Sequence, residues 1–170
     1  MSAGSGGGSR QHLLLALLAA WLVLTSPWVH MLRQVPRNAG WLDYAHVGLG
    51  VLAAVLALTY FVTCCRGGGW RVYFPWLAGN LGPVARDLRG LRRRELPTAE
   101  GGGLFALIEG LLLLAVLLTG LTGVGWLLLA GTPEAAAWRS YHILAAQGMI
   151  ALLVLHVVTV SLHLLDFIRE

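Results

Sequence analysis

Apolar residues run along this chain in four stretches, each long enough for the about 20 residues of helix that a bilayer core of roughly 30 Å requires. They fall near 12–32, 42–65, 104–130 and 138–165. Polar positions gather between them: an opening MSAGSGGGS, a turn VPRNAG, a long basic connection over residues 66–103 and a second turn GTPEAAA. Backbone amides and carbonyls in lipid must be satisfied within the chain, so each stretch is expected to be a helix and no strand is expected. The pattern predicts an all-α fold, an integral membrane four-helix bundle. Residues 1–9 form a flexible tail with nothing to bury, and residues 10–170 form one transmembrane domain. The apolar run after Arg10 resembles a secretory signal at first sight. It is longer than a signal's apolar region and has no convincing small-x-small cleavage site, so it counts as the first span.

Composition and charge sharpen this picture. With 57% hydrophobic and 12% charged residues, and a mean hydropathy of +0.72, an ordinary water-soluble domain is excluded. All twelve basic residues are arginines. Arg10, Arg66, Arg71, Arg86, Arg89, Arg92, Arg93, Arg94 and Arg169 fall on the side shared by the two termini and the long connection. Arg33, Arg37 and Arg139 fall on the other. The positive-inside rule then predicts an N-in/C-in topology with both termini cytoplasmic, and the clustering reads as a topology signal and not as a nucleic-acid footprint. Within the connection, AGNLGPVARDLRGLRRRELP is expected as a short basic helix at the membrane surface. Its charges serve either as topology signals and contacts to anionic lipid, or as a docking site for a soluble or peripheral partner. Cys64 and Cys65 are adjacent, which suits neither a structural disulfide nor a metal-binding CxxC. They read as small apolar residues at a helix end, with a reactive or acylated pair as the alternative. No CxxCH occurs, which excludes covalent c-type haem attachment.

Six histidines, at positions 12, 30, 46, 142, 156 and 163, stand out in so apolar a chain. Ionisable side chains inside a membrane are costly and are retained where they serve a function. His142 and His156 lie fourteen residues apart on the last span, which separates them by ~21 Å along the axis and returns them to within ~40° of one face. Two histidines stacked at two depths of one helix each need a partner at matching height on another helix to complete the two axial bonds of a haem iron. His46, just inside the outer end of the second span, matches His142. His12, at the cytoplasmic end of the first span, matches His156. Of the remaining two, His163 is a rival inner ligand whose headgroup depth better suits a propionate or quinone contact, and His30 is expected at the surface or against a propionate. Gly48, Gly50, Gly110, Gly120, Gly123, Gly125 and Gly148 would let a macrocycle approach the helices. The third span carries no histidine and is expected as packing and a quinone wall.

These residues resemble the bacterial di-haem cytochrome b superfamily, which includes cytochrome b561, the nickel-iron hydrogenase cytochrome b subunit and the gamma subunit of respiratory formate dehydrogenase. DYAHVGLGVL is similar to that group's second-helix haem motif. SYHILAAQGMIALLVLH, with its trailing SLH, is similar to the fourth-helix motif. The likeness covers all four spans. It implies two b-type haems, with His12 pairing with His156 and His46 with His142 as axial ligands to haem iron, the same pairing that depth gives. The stretch YFPWLAGNLGPVARDLRGL followed by ELPTAEGGGLFALIEG resembles the cytoplasmic connection of the formate dehydrogenase and thiosulfate reductase type, where a quinone binds near the inner haem. The third span lacks the histidine of some cytochrome b561 members and no extended C-terminal tail follows, which leaves subfamily and donor open.

The expected function is transmembrane electron transfer as the membrane subunit of a respiratory oxidoreductase in the bacterial cytoplasmic (inner) membrane. It would link a periplasmic catalytic, iron-sulfur or cytochrome c subunit to the quinone pool. Quinone reduction consumes protons, and Glu109 is the acid placed in the cytoplasmic half of the third span, so Glu109 and His163 are the quinone candidates. Arg33, Arg37 and Arg139 near the outer haem, and Arg10 and Arg66 near the inner one, are the propionate candidates. Two other readings compete: a stand-alone quinol oxidoreductase of cytochrome b561 type, and a haem-free membrane anchor or assembly protein that recruits partners through the basic loop.

Overall fold

The computed structural model of the chain describes residues 5–93 and 102–169. Among these residues the structure is helical and contains no strand. Four helices are long and apolar enough to cross a membrane, over Gly8–Trp28, Trp41–Cys65, Leu104–Leu128 and Ala135–Leu162. They belong to α1 (Ser5–Thr25), α2 (Trp41–Cys65), α5 (Leu104–Leu128) and α6 (Ala135–Arg169), with the short α3 (Trp70–Tyr73) and α4 (Gly82–Arg92) between α2 and α5. The first span is displaced toward the N-terminus relative to 12–32. It starts within the Gly- and Ser-rich opening and stops at Thr25, because Pro27 lacks an amide and its ring obstructs a continuing helix. A single 3-10 turn, Ser26–Trp28, follows, so His30 lies outside any helix. Part of the expected basic stretch, including Arg94, lies outside the described residues.

The chain divides into two compact units. The first comprises Met1–Thr63 with Ala115–Gly148, and therefore α1, most of α2, the second half of α5 and the first half of α6. Leu15, Ala53 and Ala57 form its buried centre, packed by Leu18, Leu22, Leu56, Tyr60, Val116 and Leu117 from α1, α2 and α5. Large apolar side chains such as Leu17, Val55, Leu58, Leu118 and Leu144 are exposed, as lipid-facing residues must be when lipid is the solvent. Hydroxyls in the spans are satisfied by carbonyls of the preceding turn, for example Thr59 to Val55 and Thr119 to Ala115. Trp28, Trp41, Tyr44 and Tyr141 are exposed near the ends of their helices, the placement of an interfacial aromatic belt.

The α1–α2 connection of this unit is pinned from several sides. Asp43, only 4% exposed, accepts the His30 amide at 2.8 Å and the Gly40 amide at 2.9 Å. The second bond reaches back to the start of α2 as the acidic half of a capping box does. The Trp126 indole donates to the Leu32 carbonyl at 2.9 Å, the Arg139 Nε to the Met31 carbonyl at 2.6 Å, and the Gly131 amide to the Arg33 carbonyl at 2.9 Å. Gly131 adopts a φ of +89°, which ends the α5 connection in a conformation that favours glycine.

The second unit comprises Cys64–Leu114 with Met149–Glu170. Its short helices sit against the first half of α5 at two glycines. A Cβ at Gly110 would run into the Tyr73 carbonyl, and one at Gly103 would run into the Asp87 carboxylate. Asp87 accepts the Leu104 amide at 2.7 Å, so a side chain from α4 caps the start of α5 and meets the positive end of its helix dipole. Phe74 and Pro75 are buried in this unit.

Candidate functional site

The first unit brings His46 of α2 and His142 of α6 together. Their ring centres lie 6.4 Å apart with planes at 87°. Two imidazoles that held one metal between them, each bonded at about 2.0–2.1 Å with a further roughly 1.1–1.2 Å from nitrogen to ring centre, would stand about 6.2–6.6 Å apart. The observed separation fits that requirement.

The protonation of His142 also fits. His142 Nδ1 lies 2.9 Å from the Thr119 main-chain carbonyl. A carbonyl can only accept, so Nδ1 carries the proton and Nε2 keeps its lone pair, the form in which imidazole binds a metal. The bond also fixes the ring, as the outer partners of metal-bound histidines do. His46 is half-buried, and its Nδ1 is buried without a hydrogen-bond partner among the described residues.

The third membrane span prepares this arrangement through its glycines. A Cβ at Gly123 would stand 3.1 Å from both Cε1 and Nδ1 of His142, so glycine there admits the imidazole edge. At Gly120 a Cβ would stand 2.8 Å from the Cβ of Ala54, and at Gly125 it would run into the Trp138 ring, so the same series lets α2 and α6 close on α5. No atoms crowd Gly48 or Gly50 beside His46, or Gly148 after His142, within 4 Å of a built Cβ. A flat macrocycle needs such openings.

Thr119 is a site element that sequence reasoning missed, and Gly123, expected to admit a macrocycle, stands against the His142 imidazole edge. A main-chain carbonyl has no residue-type signature. The one available signal was the glycine spacing in TGLTGVG, which registers a close approach without saying what approaches.

The remaining candidates fall in different surroundings. His12 is exposed, its ring 5.8 Å from that of Tyr60. In the second unit, His156 is half-buried with its Nδ1 out of solvent, its ring 5.8 Å from that of Phe105. Glu109, one helical turn beyond Phe105, is half-buried. Burial pushes the Tyr73 phenol above its usual range, and Cys64 and Glu109 beside it act in the same direction. The His163 side chain lies outside the described residues. Arg33 and Arg37 are exposed on the α1–α2 connection, Arg10 on α1, and Arg66 in the turn after α2. Arg139 is half-buried and tied through Nε to Met31. Cys64 and Cys65 are half-buried and form no disulfide.

Among the described residues no group of three or more His, Cys, Asp or Glu could hold a metal ion. A bare ion therefore lacks a ligand set here. Iron that arrives within a macrocycle asks the chain only for axial ligands, and His46 and His142 suit that request.

A family model described as prokaryotic cytochrome b561 matches residues 10–166, nearly the whole chain. No curated protein and no solved structure matches it.

Proposed function

Because the chain belongs to the prokaryotic cytochrome b561 family, whose members are haem-binding membrane cytochromes that carry electrons, we propose that it holds two b-type haems on paired histidines and passes electrons between a periplasmic redox partner and the quinone pool. Four apolar helices make it a multi-pass membrane protein in contact with lipid.

The observation that carries this reading is the His46–His142 pair, with its ring spacing and the Nδ1–H of His142 committed to Thr119. These residues hold one haem. Bound haem supplies reversible one-electron chemistry at iron. His142 presents Nε2 and keeps its orientation through the α5 carbonyl. Asp43, Trp126 and Arg139 fix the α1–α2 connection of the same unit.

The second pair, His12 with His156, rests on register. His142 and His156 both fall within α6, and a rise of about 1.5 Å per residue over fourteen residues supports two depths, ~21 Å apart along the helix. The excess of arginines around the termini and the long connection supports cytoplasmic ends and residence in the bacterial inner membrane. Arg139, Arg33 and Arg37 would then serve the propionates of the outer haem, and Arg10 and Arg66 those of the inner. Glu109 and His163 serve the quinone end. Glu109, half-buried beside Tyr73, is a group able to hold a proton there.

The purified protein tests this directly. Its absorption spectrum should show b-type haem at two per chain, and His46→Ala or His142→Ala should each remove one haem and leave the other. A colourless, pure preparation, or full haem content in both variants, would overturn the assignment.

A further inference from the structure

Helix α4 carries none of the candidate haem ligands, and its two sides differ. Toward the protein, Val84 is buried and Asp87 is committed to the Leu104 amide. With its acid turned inward, the outward side of the helix is left with cations: Arg86, Arg89, Arg92 and Arg93 are all exposed, and Arg89 Nε donates to the Ala85 carbonyl of its own helix. A row of leucines shares the sector of the buried side. At 100° per residue Leu81 and Leu88 lie within ~60° of Val84, yet each is 51% exposed. Leu91, in the same sector, is exposed as well. The apolar face is therefore wider than the protein surface it meets, and arginines border its uncovered part.

One occupant must satisfy both features. An acidic soluble partner would answer the arginines and leave the leucines in water. A membrane surface answers both, since leucines enter the acyl boundary while arginine stems run along it and carry their guanidinium groups to the phosphates. Guanidinium binds phosphate in a bidentate fork and gains further where the lipid carries net negative charge.

We propose that α4 is an anionic-lipid-binding helix lying on the membrane surface, and that its Asp87 clamp transmits this anchorage to the first turn of α5. Headgroup charge thereby steadies the start of the span that carries Glu109. The inference stands apart from the haem assignment.

The test uses the full-length haem-loaded protein in nanodiscs of phosphatidylcholine, with and without phosphatidylglycerol. Amide exchange over 82–92 should be at least about fivefold slower in the anionic discs, the factor expected from a single arginine near a charged surface. The difference should shrink at high salt. The triple variant R86Q/R89Q/R93Q should abolish it, and L81Q/L88Q should raise exchange in both lipids. Asp87→Asn should leave the lipid protection of α4 in place while loosening the amides of 104–107. Equal exchange of the wild type in the two lipids would overturn the proposal. Protection gained only on adding polyglutamate would overturn it in favour of an acidic protein partner. An unaltered α5 start in Asp87→Asn would remove the clamp.

Discussion

His142 donates its Nδ1 proton to the carbonyl of Thr119 across 2.9 Å, from a helix with three histidines to a span with none. The bond makes α5 part of the proposed haem site without lending it a ligand. It decides which nitrogen of His142 is basic and which way the ring points, and both are prerequisites for binding iron.

Gly123 is the structural condition for that bond, since a side chain there meets the imidazole edge. Gly123→Val should lower haem content toward one per chain, and the haem that remains should keep its reduction potential. Pyridine haemochrome assay and a redox titration measure both. Two intact haems in this variant would mean that His142 is held by something other than α5.

The second haem should answer to a different pair of residues. His12→Ala and His156→Ala are each expected to remove one haem while preserving the signal of the one held by His46 and His142. Low-temperature optical spectra or electron paramagnetic resonance resolve the two. If either variant erased the same signal as His46→Ala, the register argument for two depths would fail.

Arg139 and Trp126 each satisfy a carbonyl of the α1–α2 connection. Replacing either leaves that acceptor without its donor, at a cost of about 1–3 kcal/mol where it is buried. Arg139→Ala and Trp126→Phe should therefore unfold at lower denaturant in detergent micelles, with faster amide exchange at residues 29–33. Unchanged exchange there would show that Asp43 and the Gly131 amide suffice to hold the connection.

Glu109→Gln retains size and removes the exchangeable carboxyl proton. Haem content and both reduction potentials should stay near those of the wild type, while quinone-linked turnover falls roughly tenfold or more, in the range of a lost general acid or base. A wild-type rate would take Glu109 out of the quinone site.

Much of the architecture was legible in one dimension because lipid imposes a one-dimensional rule. A helix must be apolar for the thickness of the bilayer, and every backbone group must be paired within it, so hydropathy alone located four spans and the histidines could be ranked by depth. Local chemistry set finer limits that hydropathy blurred. Pro27 stopped the first helix at Thr25, short of where apolar composition continued, and left His30 in a connection.

Tertiary structure decided what depth could not. Which ring nitrogen is protonated, which glycine receives which neighbour, and where the acid of α4 points depend on side chains from segments distant in sequence. His142 meets Thr119 across 23 residues, Trp126 meets Leu32 across 94, and Asp87 meets Leu104 across 17. Two of these contacts end on a main-chain carbonyl and one on a main-chain amide. Every residue carries that carbonyl and nearly every one that amide, so residue identity cannot announce the contact and only the packed helices can select it.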